Sequence, residues 1–168
     1  MKLSDLFEAK EVTLIGKEIS GKIFTAKMSG KPWNGDFSCS NNKLTSLVGA
    51  PSSVSGDFNC SRNKLTSLVG APSSIGGDFY CYNNKLPSLH DVHKIIKKIS
   101  GKFYANNNPI TSCVLGILLI EGCTKLEIDN KKVRGIVNKY LPNTRGFSAV
   151  IECQSELLDA GLDEYAKL

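Results

Sequence analysis

Three cysteines, Cys39, Cys60 and Cys81, stand 21 residues apart, and the same interval separates Asp36, Asp57 and Asp78 as well as Lys43, Lys64 and Lys85. Thiols in series suggest metal ligation, stacked carboxylates a cation, and aligned ammonium groups a polyanion. Each of these chemistries needs a particular spacing. No C-x-x-C pair occurs, so the thiols lack the close pairs of a zinc site. His90 and His93, the two histidines, lie three apart at the start of a helical pattern. They could share a metal, but no third ligand is near in sequence, and they read as polar residues of a first turn. No Ser-His-Asp order, Walker loop or G-x-G-x-x-G after a strand appears. These features predict a non-enzymatic chain with no cofactor and no metal.

The three series share one origin. Gly35-Asp-Phe37 opens a segment that is repeated from Gly56-Asp-Phe58 and begun again at Gly77-Asp-Phe79. Asn42, Asn63 and Asn84 keep register, as do Leu44, Leu65 and Leu86, and Leu47, Leu68 and Leu89. A fixed period of this length marks a solenoid. Phe58 and Cys60 are two apart and therefore point to one side of a short strand, which must be the core. Asp57, Asn59 and Ser61 then point outward. The cysteines read as small buried fillers, with Asn63 as a core amide that satisfies backbone groups of neighbouring turns. Ala50-Pro51 and Ala71-Pro72 predict an extended or 3₁₀-like return rather than a helix. Ile99–Ile110 repeats the pattern, with Phe103, Ala105, Asn108 and Ile110 in the Phe, Cys, Asn and Leu slots. Three extra residues precede it, and Val92, Ile95, Ile96 and Ile99 predict a helix over 90–99. Ile19–Phe24 reads as a degenerate first repeat.

A solenoid must cover its two open ends. The N-terminal expectation is a short helix from Ser4 followed by a β-like stretch over Val12–Ile15. Trp33 reads as a plug of the first repeat, with a partner anchor as the alternative. The C-terminal expectation is a buried helix over Val114–Ile120, an edge strand over Lys125–Asp129, amphipathic helices over Lys131–Leu141 and Phe147–Leu158, and a last short helix through Leu162 and Tyr165. The division is 1–34 cap and degenerate repeat, 35–112 repeats and 113–168 helical cap, in one continuous domain. No apolar run is long enough for a bilayer helix, and no signal pattern appears, so the chain is expected off the membrane, with reduced thiols.

Net charge is +5. Residues 1–151 hold 20 Lys and Arg against 11 Asp and Glu, a balance of +9, while residues 152–168 hold one Lys against five acids, −4. A basic body speeds encounter with acidic partners. Lys43, Lys64 and Lys85 line up on the rim about 5 Å apart, with Arg62 beside them. This column is either a solvated rim that guards against aggregation or a stripe for nucleic-acid phosphates or an acidic protein. The outward slots change along the sheet. Asp36, Ser38 and Ser40, then Asp57, Asn59 and Ser61, give way to Asp78, Tyr80 and Tyr82 and to Lys102, Tyr104 and Asn106. Tyr80, Tyr82 and Tyr104 either pack on the C-terminal cap or form a partner-binding patch, for which tyrosine is well suited. The Asp36, Asp57 and Asp78 column could hold a cation, though solvation by water or Lys102 is the stronger expectation.

The segment F-x-C-x-x-N-x-L-x-x-L resembles the leucine-rich repeat pattern, with Phe and Cys in two leucine slots. The return Leu44-Thr-Ser-Leu-Val-Gly-Ala-Pro-Ser-Ser-Val54, feeding Gly56-Asp-Phe-Asn-Cys-Ser-Arg-Asn-Lys-Leu65, is similar to the short repeats of bacterial effectors. It is more similar still to small leucine-rich repeat proteins encoded by bacteriophages. The tail motifs Asn138-Lys-Tyr-Leu-Pro-Asn143 and Cys153-Gln-Ser-Glu-Leu-Leu-Asp-Ala-Gly161 extend the resemblance over residues 35–168. It implies an α/β solenoid with a short parallel sheet, non-helical convex returns and a helical C-terminal cap, and a viral source. The expected function is a non-enzymatic protein-binding module that inhibits a host defence protein in the host cytoplasm, using Tyr80, Tyr82, Tyr104, Asn59, Asp57, Asp78 and Lys102. The alternative is a nucleic-acid binder using Lys43, Lys64, Lys85 and Arg62. A homodimer is compatible with either.

Overall fold

The computed structural model describes residues 11–13, 30–143 and 145–168. Copies of the repeat stack as coils of a parallel β-solenoid of about five turns. Among the described residues two all-parallel sheets run along it. One contains β1 (Glu11–Thr13), β3 (Asp36–Ser38), β5 (Phe58–Asn59), β7 (Phe79–Tyr80), β9 (Lys102–Tyr104) and β10 (Lys125–Glu127), in that order. The other contains β2 (Pro32–Trp33), β4 (Ser53–Val54), β6 (Ser74–Ile75) and β8 (Lys98–Ile99). The extended return expected from Ala-Pro is therefore itself a sheet, in which Val54 pairs with Ile75 and Ile75 with Ile99.

The register is the one the repeat demands. Phe37, Phe58, Phe79 and Phe103 face one another across successive strands. The first two ring pairs lie 5.6 and 5.7 Å apart and within 5° of parallel, and the third is tilted at 4.8 Å. All four rings are buried, as are Cys39, Cys60 and Cys81 beside them. Trp33 is buried and meets Phe37 edge-on at 5.2 Å, while its indole N–H donates to the Asp36 carbonyl. It closes the first described repeat rather than projecting from it. The strand that precedes β3 in the sheet is Glu11–Thr13. The expected helix from Ser4 and the degenerate repeat over Ile19–Phe24 lie outside the described residues.

Two side-chain ladders join the turns. In the interior, Asn63 Oδ1 accepts the Asn42 and Leu44 N–H groups, and its Nδ2 donates to the Cys39 and Cys60 carbonyls. Asn84 and Asn108 repeat this one and two turns later, accepting from Leu65 and Leu86 and donating to Cys60 and Cys81, and to Cys81 and Ala105. The amide is needed because the corner after each strand leaves buried peptide groups that water cannot reach. On the outside, Asp36 Oδ1 accepts the Asp57 N–H, Asp57 Oδ1 the Asp78 N–H, and Asp78 Oδ1 the Lys102 N–H, each at 2.7 Å. The glycine before each donating N–H makes room. A Cβ at Gly56, Gly77 or Gly101 would stand 2.0, 2.1 or 2.2 Å from that carboxylate oxygen. The Gly-Asp dipeptide is thus one structural unit, in which the glycine admits the previous turn's carboxylate and the aspartate reaches the next.

Each corner after the outer strand also passes through the left-handed region, at Asn41, Arg62, Asn83 and Asn107 (φ 60°, 55°, 54° and 55°). Asparagine tolerates this conformation, and arginine pays for its Cβ there.

The chain beyond residue 90 departs from expectation in three places. The helix over 90–99 contracts to one turn, α1 (Val92–Ile95), because Lys98 and Ile99 are drawn into β8. The apolar run after Val114 forms a buried 3₁₀ turn, Leu115–Leu119, whose Gly116 packs directly on α1. Leu162–Tyr165 makes a hydrogen-bonded turn, not a helix. The edge strand and the two amphipathic helices are present as β10, α2 (Lys131–Asn138) and α3 (Phe147–Asp159). The exposed edge of β10 is closed by Asn138, whose amide accepts the Leu126 N–H at 2.8 Å and donates to the Leu126 carbonyl at 2.9 Å. That side chain stands in for another strand and blunts the sheet edge.

Gly77→Ala should destabilise the fold by about 2 kcal/mol or more in urea unfolding, through overpacking and the lost Asp57 bond. In an Asp57→Ala background the same change should cost at least about 1 kcal/mol less. Additive effects would refute the coupled ladder. Arg62→Asn should instead stabilise by about 0.5–1 kcal/mol, the relief of one left-handed non-Asn residue.

Candidate functional site

The parallel register aligns outward side chains in columns across the six-stranded sheet. Ser38 is followed by Asn59, Tyr80, Tyr104 and Glu127 in one column, and in the column of the preceding residues Lys102 pairs with Lys125. Small side chains occupy the first turns and large ones the later turns. Tyr80 and Tyr104 stack at 4.8 Å with 9° between their planes, and Tyr82 meets Tyr80 edge-on at 6.4 Å. All three are half-buried. The structure therefore gathers the three tyrosines into one patch with exposed surface.

The patch is held rigidly. The Tyr80 hydroxyl donates to Asp78 Oδ2 at 3.1 Å, while the other carboxylate oxygen holds the Lys102 N–H. Burial, and then the neighbouring Asp78 carboxylate, raise the Tyr80 phenol above its usual range, so it remains a donor. Beyond Tyr104, Glu127 makes ion pairs with Lys125 at 2.6 Å and Arg134 at 3.0 Å. The hydrogen bond from Lys125 is the main cause that holds its carboxyl below the ordinary range. Sequence reading missed Glu127 and Arg134 as the border of this patch. The alternation in Lys125-Leu-Glu127 placed Glu127 on the outward face, but nothing local announced Arg134, which arrives from α2.

Asn59 adjoins Tyr80 in register, but its side chain turns along its own strand, where Oδ1 accepts the Ser61 N–H and hydroxyl. Ser61 is accordingly buried, not an open-face residue. Asp57 and Asp78 do not form an unoccupied acidic column. Their Oδ1 atoms belong to the backbone of the next turn, and the expected role of Lys102 is played by its peptide N–H.

Lys43, Lys64, Lys85 and Arg62 are exposed at the corner where the outer strand ends. Lys64, Lys85 and Arg62 make no ion pair among the described residues. Below them runs the middle side of each coil, from Lys64 through Thr66 and Ser67 to Val69. A groove of about 210 Å³ lies there, lined by Thr66, Ser67, Ser88, His90 and Ile95 among others.

Burial pushes the Cys39 thiol up to about 12, and Cys60 and Cys81 up as well, which favours the protonated form along the ladder. Cys123 and Cys153 are buried too, whereas Cys113 is half-buried. His90 is exposed beside Asp91, while the His93 Nδ1 is buried against Gly116 with no hydrogen-bond partner among the described residues. The two imidazoles are not set to share a metal. Among the described residues no group of three His, Cys, Asp or Glu is placed to hold a metal ion, and no helix is long and apolar enough to cross a membrane.

Comparison with protein-family models, with curated proteins and with solved structures finds no match.

Desolvation is the first cause that lowers the His93 pKa, so the folded state prefers neutral imidazole. Its contribution is full above the unfolded value near 6.5 and is lost as pH falls through the lower folded value. Urea unfolding of the wild-type protein should therefore weaken from pH 7 to pH 5 more steeply than that of His93→Gln. Parallel profiles would remove His93 as the cause.

Proposed function

We propose that this protein is a binding module for another protein, and that the patch of Tyr80, Tyr82 and Tyr104 is its recognition surface. The observation that supports this most is the Tyr80–Tyr104 stack, with Tyr82 at its edge and the Asp78 bond fixing the first ring. Aromatic side chains already ordered in the free protein lose little conformational entropy on binding. Tyrosine also supplies apolar area with a polar tip, the combination favoured at interface hot spots. Asp57, Asp78, Lys102 and Asn59 form the polar border at this end of the sheet. The finer reading, a phage-encoded leucine-rich repeat inhibitor of a host defence protein acting in the host cytoplasm, extends this from the resemblance of the repeat alone.

The test compares wild type with Tyr80→Ala/Tyr82→Ala/Tyr104→Ala, using affinity capture from host extract and then titration of the captured protein. The expected result is a loss of at least about 2 kcal/mol, some 30-fold in affinity, with little change in the melting transition. Undiminished binding by a folded triple variant would place the interface elsewhere.

A second reading is favoured by Lys64, Lys85 and Arg62, which are exposed, make no ion pair among the described residues and suit phosphate groups. If they bind single-stranded nucleic acid, removing all three charges should flatten the logarithmic salt dependence by about two units. A salt slope that is flat in the wild type excludes this reading.

A further inference from the structure

The chain contains a single Asn-Gly dipeptide, Asn34-Gly35, at the corner between β2 and β3. Asn34 is exposed and Gly35 is half-buried, with φ at 93°, a conformation open to glycine and costly for other residues. One hydroxyl of the next turn meets both residues. The Gly35 N–H donates to Ser55 Oγ at 2.7 Å, and the Ser55 hydroxyl donates to Asn34 Oδ1 at 2.9 Å. Serine can do both at once, because its oxygen carries a proton to give and lone pairs to accept another. Ser55, Gly76 and Ser100 hold the Asn34 position on the following turns, so among the described corners this one alone sets a side-chain amide against a hydroxyl and a glycine N–H.

We propose that Asn34 is a self-modification site, at which Ser55 relays protons while the Gly35 nitrogen displaces the side-chain amide. The Gly35 nitrogen bonds to Asn34 Cγ. Its proton passes to Ser55 Oγ as the Ser55 proton passes to Oδ1, so the developing alkoxide is neutralised where it forms and the serine is regenerated. The tetrahedral carbon then expels its amino group, which takes the Oδ1 proton and leaves as ammonia. The C=O bond is restored, now within a five-membered succinimide. Water reaches this exposed corner and opens the ring at either carbonyl, leaving aspartate or isoaspartate at position 34. Water is the only co-reactant, and nothing is oxidised or reduced. A hydroxyl fixed at both ends of the relay supplies an orientation that a free peptide must wait for solvent to provide.

A change of main chain at this corner reaches the core. The Ser55 N–H donates to the Trp33 carbonyl at 3.1 Å, the Gly56 N–H to the Gly35 carbonyl at 3.0 Å, and the Trp33 indole to the Asp36 carbonyl at 3.0 Å. An isoaspartyl link adds a methylene to the backbone among the residues that make these bonds. Trp33, buried and the one tryptophan of the chain, then loses its fixed seat against Phe37. The aspartyl product keeps the backbone path and adds a negative charge two residues before Asp36. This inference is independent of the tyrosine patch, which belongs to later turns.

The test holds the purified protein at neutral pH and physiological temperature and follows ammonia release and tryptic peptide masses over weeks. Wild type should release ammonia as Asn34 becomes a mixture of aspartate and isoaspartate, and Trp33 emission should shift to the red in step with the isoaspartate fraction. Ser55→Ala, which removes the relay, should slow the loss of the amide by at least about tenfold, and Ser55→Thr, which restores the hydroxyl, should recover most of the rate. Circular dichroism melting confirms that the variants fold. A wild-type chain whose Asn34 stays intact overturns the proposal. So does a Ser55→Ala chain that reacts as fast as wild type or faster, the result expected if the two bonds only hold the corner still. A Ser55→Thr rate no higher than that of Ser55→Ala also counts against it. Should neither variant fold, the wild-type rate of ammonia release in heavy water decides. It should fall, because two protons move during the attack, and an unchanged rate refutes the relay.

Discussion

Every turn of this solenoid must satisfy the peptide groups of the turn beside it, and that constraint orders the rest of the molecule. Between regular strands the sheets do this themselves. At the corners, where no ladder is available, Asn63, Asn84 and Asn108 do it inside, and Asp36, Asp57 and Asp78 do it outside. The bonds run between turns, so they fix the vertical offset of one copy on the next and, with it, the stacking of Phe37, Phe58, Phe79 and Phe103. They also show where the period can vary. The three residues added before Gly101 are absorbed by α1, on the far side of the coil, and Asp78 still meets the Lys102 N–H while Asn108 still meets Leu86. An insertion inside the Gly-Asp-Phe-x-Cys segment would have no such outlet.

Stacking copies of one sequence also stacks like with like, and each column survives for a different reason. Phenylalanine gains from it, because the rings bury one another. Cysteine endures it by remaining protonated, since desolvation and neighbouring thiols disfavour the thiolate at Cys60. Aspartate endures it because a peptide N–H lies between each carboxylate and the next. Lysine at positions 43, 64 and 85 endures it in solvent, where repulsion over about 5 Å is damped. The repeat therefore produces charged columns as a consequence of its own copying, and such columns carry little information about partners. Information about partners resides where the copying fails. Tyr80 replaces Asn59 and Ser38, Tyr82 replaces Ser61, and Arg62 stands where three other turns have asparagine.

The stacked strands, the inward Phe and Cys, the amide ladder, the edge strand and the two amphipathic helices were legible in the sequence, because each is written as a period of 21, of two, or of a helical turn. What was not legible depended on neighbours distant in sequence. Val92, Ile95, Ile96 and Ile99 have helical spacing, yet Ile99 finds a better partner in Ile75 of the preceding coil. Ser61 alternates outward by count, but the Asn59 side chain folds over it. The aspartates looked like a charge column because their partners are peptide groups, which leave no mark in a sequence beyond the glycine that admits them. The tyrosine patch was readable from register alone. The side of its border at Glu127 was not, since Arg134 reaches Glu127 from α2, seven residues further on.

How such a molecule meets others follows from what closes its edges. A parallel solenoid ends in strands whose peptide groups invite extension, and strand addition is the cheapest route to a partner. At β10 that route is closed, because Asn138 occupies both backbone groups of Leu126 and α2 lies behind it. Association at that end has to proceed through side chains on the flanks of the coil. The flanks are not equivalent. One presents a stiff aromatic patch with hydrogen-bonding tips, suited to a specific and oriented contact. Another presents Val48 and Val69, exposed at the same slot on successive turns.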